Sequence, residues 1–350
     1  MKRIVLLLLC LILAVLSLSS CSAETRKTEE SAVDAAQTQP QENNEETSEQ
    51  EEKEPEKQEI SSDFKEAYAQ KNEAYAQMKS FTANVKAVAD FKYDETESTV
   101  LADSVAEVSI EDLITHVIAS VKCEPYIEPQ NTELYAQTGE QPTVYMNVDG
   151  TWQKSSMSES DSAQIMLFAG KADTENFDIM KYMLNTSVSE EIYNETECYK
   201  ISYDINAELY NIIVDLGYKD VFDDMLKAYD VPALVKPVLV SKLNNLGTIS
   251  VSEYIDVSTM YPVTTVVDAT NFSQSVLKEV AAYAPMLIDD EVDFEKLSIE
   301  SVVVTVEYSN IDETEISVPE EVLEAAESES DSTSVGIIGG ADGPTEILVS

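Results

Sequence analysis

The sequence predicts an α+β fold in which a curved antiparallel β-sheet, a half-barrel, is covered by several helices. Apolar and polar residues alternate over long stretches early in the folded part, which is the period of a strand with one buried face. Helical periodicity precedes and follows those stretches. Asp149-Gly150 lies between two short alternating runs, and Asp-Gly is a strong signal for a tight hairpin turn. One-sided strands joined by tight turns are typical of antiparallel sheets.

The alternating stretches also supply a candidate interior surface. A first helix has an apolar face made of Phe64, Tyr68, Tyr75 and Met78. Strands are predicted to follow around residues 81–93, 100–110 and 113–123. Six large side chains on the buried side of these strands are candidate ligand-binding residues: Phe81, Val85, Phe91, Val100, Val108 and Val117. The same residues would serve as a packed core, and the sequence leaves both readings open.

The remaining elements are predicted from the same two periods. Helical patterns cover residues 160–184, 207–229, 233–246 and 273–283, with a short helical turn at 318–321. Strands are expected at 199–205, 250–256, 263–269 and 297–308, and a hairpin turn at Asn194-Glu195.

The amino terminus predicts export. Lys2 and Arg3 precede an apolar run from Ile4 to Leu18, which is short for a membrane-spanning helix and typical of a secretion signal. Leu18-Ser19-Ser20-Cys21 resembles the lipobox of bacterial lipoproteins. The resemblance implies cleavage before Cys21, a diacylglyceryl thioether on that cysteine, and anchoring at the extracytoplasmic face of the cell membrane. Two acyl chains suffice for stable anchoring.

Composition divides the chain into four parts. Residues 1–20 are the predicted signal peptide, and residues 21–63 hold the lipidated cysteine and a disordered acidic tether with almost no large apolar residue. Residues 64–326 form one predicted α+β domain. Residues 327–350 are a Ser/Glu/Asp-rich linker and a Gly-rich tail.

Charge and motif content exclude several functions. The chain has 22 basic and 67 acidic residues, a net charge of −45, so nucleic acid is not an expected partner. Its single histidine, His116, is predicted to be structural, and no catalytic, cofactor or metal motif is present. We therefore expect no enzyme, no cofactor and no metal site. Cys123 and Cys198 remain after processing, either as a disulfide or as buried thiols.

The order of elements resembles a known group. Asn147-Val148-Asp149-Gly150-Thr151-Trp152, the run from Tyr254 to Val263, and Ile316–Glu321 resemble the Gram-positive lipoproteins related to the LolA/LppX/LprG half-barrels. The resemblance implies an apolar cavity for an acyl chain or a lipoprotein. The expected function is a lipid-anchored extracytoplasmic module that binds a lipid or other hydrophobic ligand. The alternative is a non-enzymatic structural or protein-interaction lipoprotein without a small-molecule ligand.

The carboxyl-terminal tail carries a second resemblance. Gly339-Gly340-Ala341-Asp342-Gly343-Pro344-Thr345 resembles a segment of the β subunits of sodium-translocating decarboxylases. Those subunits are polytopic membrane proteins, whereas no hydrophobic span follows the signal here, so sodium transport is not expected of Asp342. A sorting or processing signal, a flexible tail, and a strand added to the sheet edge are the readings that remain.

Overall fold

We describe the fold from a computed structural model of the chain. It describes residues 60–124, 127–138, 142–148, 150–157, 179–215, 236–287, 293 and 296–327. The predicted signal, Cys21, the tether up to residue 59 and the tail lie outside these residues. So do most of the helix predicted at 160–184 and the second half of the one predicted at 207–229.

The described residues form one twelve-stranded sheet with the order β12-β6-β5-β4-β3-β2-β1-β11-β10-β9-β8-β7. Every neighbouring pair is antiparallel except β12 and β6, and the sheet does not close on itself. The strands are β1 (Ser80–Tyr93), β2 (Thr96–Ser109), β3 (Ile114–Glu124), β4 (Ile127–Gln137), β5 (Thr143–Val148), β6 (Thr151–Ser156), β7 (Met183–Tyr193), β8 (Thr196–Asn206), β9 (Thr248–Asp256), β10 (Pro262–Asp268), β11 (Leu297–Ser309) and β12 (Ala326–Glu327). The predicted half-barrel α+β fold is confirmed.

The described helices are α1 (Ser62–Gln77), α2 (Leu209–Asp215), α3 (Lys236–Leu243), α4 (Thr270–Leu287) and α5 (Glu320–Leu323), with a 3-10 turn at Ile179–Tyr182. The Ser61 hydroxyl caps α1 by accepting a hydrogen bond from the Phe64 amide at 3.2 Å. Phe64 stacks on Tyr68, and both rings meet Tyr203 of β8 edge-on, which seats α1 on the sheet. No helix in this part of the chain is both long enough and apolar enough to cross a membrane.

Strand β7 begins earlier than the sequence predicts. Met183 and Leu184 were expected at the end of a helix, but they pair with Ile205 and Asp204 of β8. Met and Leu side chains fit the period of a helix and that of a strand, so these residues do not show where the helical pattern ends and β7 begins. The predicted turn at Asn194-Glu195 is confirmed, since both residues have positive φ, as a type I′ turn requires.

Cys123 and Cys198 are free and fully buried. Cys123 lies on β3 and Cys198 on β8, six strand positions apart in the sheet. At about 4.8 Å per strand the separation far exceeds the reach of a disulfide. The buried-thiol reading is therefore correct and the disulfide reading is wrong.

These two thiols are expected to be unreactive in the folded protein. Burial raises the pKa of the Cys123 thiol to about 11 and also raises that of Cys198, so little thiolate exists at pH 8. A soluble form starting at Ser22 should show no fast reaction with a thiol reagent at pH 8 and two reactive thiols in denaturant. Fast labelling of either cysteine without unfolding would contradict this burial.

The turn after β9 depends on the Asp256 carboxylate, which accepts hydrogen bonds from the amides of Ser258 at 2.7 Å and Thr259 at 2.9 Å. Burial acts to raise the pKa of Asp256, but the hydrogen bonds from Ser258 and Thr259 outweigh it and hold that pKa below its usual value.

This lowered pKa predicts a contribution to stability that depends on pH. The contribution is present above the pKa of Asp256 in the unfolded chain and is lost as the pH falls through the lower, folded value. Comparing free energies of unfolding between pH 6 and pH 3, we expect Asp256→Asn to lose less stability on acidification than the unmodified chain. Glu95→Gln, in an exposed turn, is the control and should follow the unmodified chain. Identical pH curves for all three proteins would refute the role of Asp256.

Candidate ligand-binding face

The sheet has two faces of different character. We call the face that carries α1 the inner face and the opposite one the outer face. On the inner face, a principal core cluster joins α1 and α4 to strands β1, β2, β3 and β7–β11. A second cluster, made of Met78, Phe81, Ala83, Val108 and Ile110, lies at one end of β1 and β2. Both are closely packed, so ligand space must be sought between them.

The six candidate ligand-binding residues all lie on the inner face but not in one place. Phe91 and Val100 belong to the principal core cluster. Phe81 and Val108 belong to the second cluster. Val85 is half-buried and packs against both clusters, and Val117 is half-buried against a third cluster. Their role in ligand binding stays a prediction; four of the six are already enclosed by protein.

A row of half-buried side chains crosses the sheet between the two clusters. The strand registers place Val306, Val85, Ser104, Ala119 and Thr132 side by side on β11, β1, β2, β3 and β4. All five are half-buried, whereas Ala87 and Ala83, on either side of Val85, are buried. Five strands span about 19 Å. We call this row the trough: a narrow path of small side chains, apolar at the β11 end and carrying hydroxyls toward β4.

The row continues from the trough into a buried polar cluster. Val306 pairs with Thr265 on β10, and Thr265 pairs with Glu253 on β9. Glu253 Oε2 lies 2.8 Å from Lys71 Nζ of α1, and Glu253 Oε1 accepts a 2.6 Å hydrogen bond from the Tyr203 hydroxyl. The side chains of Lys71 and Glu253 are 2% and 8% exposed. A buried charged pair thus lies beyond the β11 end of the trough.

Tyrosine hydroxyls surround this charged pair. Burial raises the pKa of Tyr203 well above its usual value, and the neighbouring Glu253 carboxylate raises it further. Burial likewise raises the pKa of Tyr75, whose hydroxyl is hydrogen-bonded to Tyr308. These tyrosines therefore stay protonated at physiological pH and provide neutral hydroxyls beside the Lys71–Glu253 pair.

Sequence reasoning missed the polar cluster. Lys71 lies in a run of helix-forming polar residues, and Glu253 lies in an alternating strand. The one usable signal was position: Glu253 occupies the inward parity of β9, between Val251 and Ile255, where a carboxylate needs a partner.

His116 of β3 is hydrogen-bonded to both neighbouring strands. It lies on the outer face, with Nδ1 at 2.8 Å from Glu107 and Nε2 at 3.1 Å from Glu133, on the two neighbouring strands. Its ring stacks on Tyr135 with centroids 4.2 Å apart. Both ring nitrogens are engaged by carboxylates, so the residue ties three strands together; its structural role stays a prediction.

The outer face carries two adjoining grooves among the described residues. One has a volume of about 500 Å³, with Val105, Ile118, Asn84 and Lys86 in its lining. The other, of about 850 Å³, has Val88, Leu101, Lys92 and Lys122 in its lining. Of the six predicted residues, Val85 is in the lining of the first groove, together with Ser104 and Ala119, and Phe91 is in the lining of the second.

Comparison with known proteins leaves the family open. No family model and no curated protein matches the chain. The crystal structure of LprF from Mycobacterium bovis is 12% identical, with a TM-score of 0.38, over 75% of this chain and 98% of that one. A DUF1329 family protein from Desulfovibrio piger is 9% identical, with a TM-score of 0.23, over 75% of this chain and 97% of that one.

A third solved structure is a domain assigned to outer membrane lipoprotein-sorting proteins, from Vibrio parahaemolyticus. It is 8% identical, with a TM-score of 0.22, over 73% of this chain and 94% of that one. These likenesses are distant, and the fold described above rests on the sheet and helices of this chain.

Proposed function

We propose that the protein is a lipid-anchored extracytoplasmic module that binds one apolar chain, such as a fatty acyl group, in the trough. The anchor is the predicted thioether on Cys21, and the ligand lies across β11, β1, β2, β3 and β4.

The observation that carries this proposal is the half-buried row of small side chains between two fully packed clusters. Ala119 and Ser104 are small and half-buried, and Val85 and Val306 supply apolar contact. Apolar ligand sites are lined in this way, with a few polar groups that fix orientation. At the hydroxyl-bearing end, Ser104 and Thr132 suit the polar group of an amphiphile.

Native mass spectrometry of a soluble form starting at Ser22 tests the proposal. We expect the purified protein to carry acyl species in a one-to-one complex, released on unfolding and identified by lipid extraction. The Ala119→Phe variant, which fills the trough, should be purified bare. Glu197→Phe, a matched aromatic substitution at an exposed position of β8, should retain the ligand.

Ligand-free protein from several expression hosts would contradict the proposal. That result would favour a protein-interaction lipoprotein without a small-molecule ligand. Equal retention by Ala119→Phe and Glu197→Phe would place the ligand elsewhere in the protein.

A further inference from the structure

Two aliphatic side chains are exposed side by side in the middle of the outer face. Val105 of β2 is 41% exposed and Ile118 of β3 is 49% exposed, and the two are direct cross-strand partners. They lie in the groove of about 500 Å³, among amide, hydroxyl and charged side chains. Val85 and Ala119 line the same groove, so its apolar part suits an aliphatic group that covers the pair.

The segment from Thr314 to Glu327 crosses this face beside the groove. Thr314 is fastened to the start of β1, since its amide donates to the Ser80 hydroxyl at 3.1 Å. From there the chain runs along the outer face to β4 and β5, where Val322 is fully buried beside Tyr135 and Tyr145. It ends at β12, which is paired with β6. The carboxyl-terminal segment therefore already crosses the outer face next to the groove.

The chain continues for 23 residues beyond Glu327, and it leaves the sheet at the right place. From β12, where the tail begins, to Ile118 on β3 is four strand positions, about 19 Å. Ile337 lies ten positions beyond Glu327, far enough to span about 33 Å when the chain is extended. When the tail turns back over the outer face, its aliphatic residues Val335, Ile337 and Ile338 are thus able to reach the groove.

The other occupants fit less well. The tether, residues 22–59, contains one large aliphatic residue, Val33, and otherwise cannot match an apolar pair. A second copy of the chain would bring together two molecules that each carry a net charge of −45. The tail has both the aliphatic residues and the proximity.

We propose that the carboxyl-terminal tail docks in the groove of its own outer face, with Ile337 and Ile338 covering Val105 and Ile118. Docking assigns a role to the unusual Gly-rich phrase: glycines at 336, 339 and 340 allow the backbone to approach the sheet closely on both sides of the two isoleucines. This inference is independent of ligand binding on the inner face.

Disulfide trapping in the soluble form starting at Ser22 tests the docking. We expect Ile118→Cys with Ile337→Cys to form an intramolecular disulfide under mild oxidation at least tenfold faster than Ser156→Cys with Ile337→Cys. Ser156 is exposed on β6, shares the outer face with Ile118 and lies closer to where the tail begins, so random motion alone would favour the control pair. The buried Cys123 and Cys198 do not compete.

Equal or faster trapping of the Ser156 pair would overturn the proposal, and exclusively dimeric products would assign the groove to a second copy. A second measurement uses single Ile118→Cys proteins. Labelling of this thiol should be at least fivefold slower in the chain with its tail than in a chain ending at Glu327. Equal labelling rates would show that the tail leaves the groove open.

Discussion

Lys71→Ala is expected to lower the free energy of unfolding by about 3–5 kcal/mol, because it leaves the Glu253 carboxylate buried without its cation. The cost arises from the uncompensated charge and not from lost helix propensity, since alanine is the best helix former. Urea denaturation monitored by circular dichroism measures it.

Two further variants separate the ion pair from other effects. Lys79→Ala removes a partner of Glu111 in an exposed pair at 3.8 Å, with side chains 67% and 68% exposed, and should change stability little. Lys71→Met with Glu253→Gln removes both charges and keeps an acceptor for Tyr203, so it should recover part of the loss. A Lys71→Ala protein as stable as Lys79→Ala would contradict the burial of this pair.

Phe91→Ala is expected to lower the free energy of unfolding by about 3–5 kcal/mol, the range for removing a buried aromatic side chain and leaving a cavity. Phe91 is 2% exposed and packs within the principal core cluster. The same denaturation experiment measures this loss.

Val117→Ala is the informative comparison for Phe91, because both were candidate ligand-binding residues. Val117 is half-buried, and its truncation should cost about 1 kcal/mol or less. A large loss for Val117→Ala, close to that of Phe91→Ala, would show that the inner face of β3 is a packed core. Similar small losses for both would contradict the enclosure of Phe91.

The strands that the sequence predicted well are those whose burial is one-sided. In β1 the odd positions from Phe81 to Ala89 face the helices, and their alternation with polar residues was plain. Strand β4 was missed because its first half, Ile127–Asn131, includes a proline and consecutive polar residues in place of the alternation. It is held by pairing with β3, a partner that local periodicity does not reveal.

The candidate site was less predictable than the fold. Parity placed the six candidate residues on the inner face, but it could not separate Phe91, in the core, from Val85, in the trough. That distinction depends on where α1 and the two clusters lie along the strands. The Lys71–Glu253 pair joins residues 182 positions apart, which no short-range pattern records.

The binding of an apolar chain in the trough is tested most directly by titrating palmitate into the delipidated soluble form starting at Ser22. Saturable one-to-one binding by this form and by Glu197→Phe, with affinity weakened at least tenfold in Ala119→Phe, is the predicted result. Absence of saturable binding, or equal affinity in all three proteins, would contradict it.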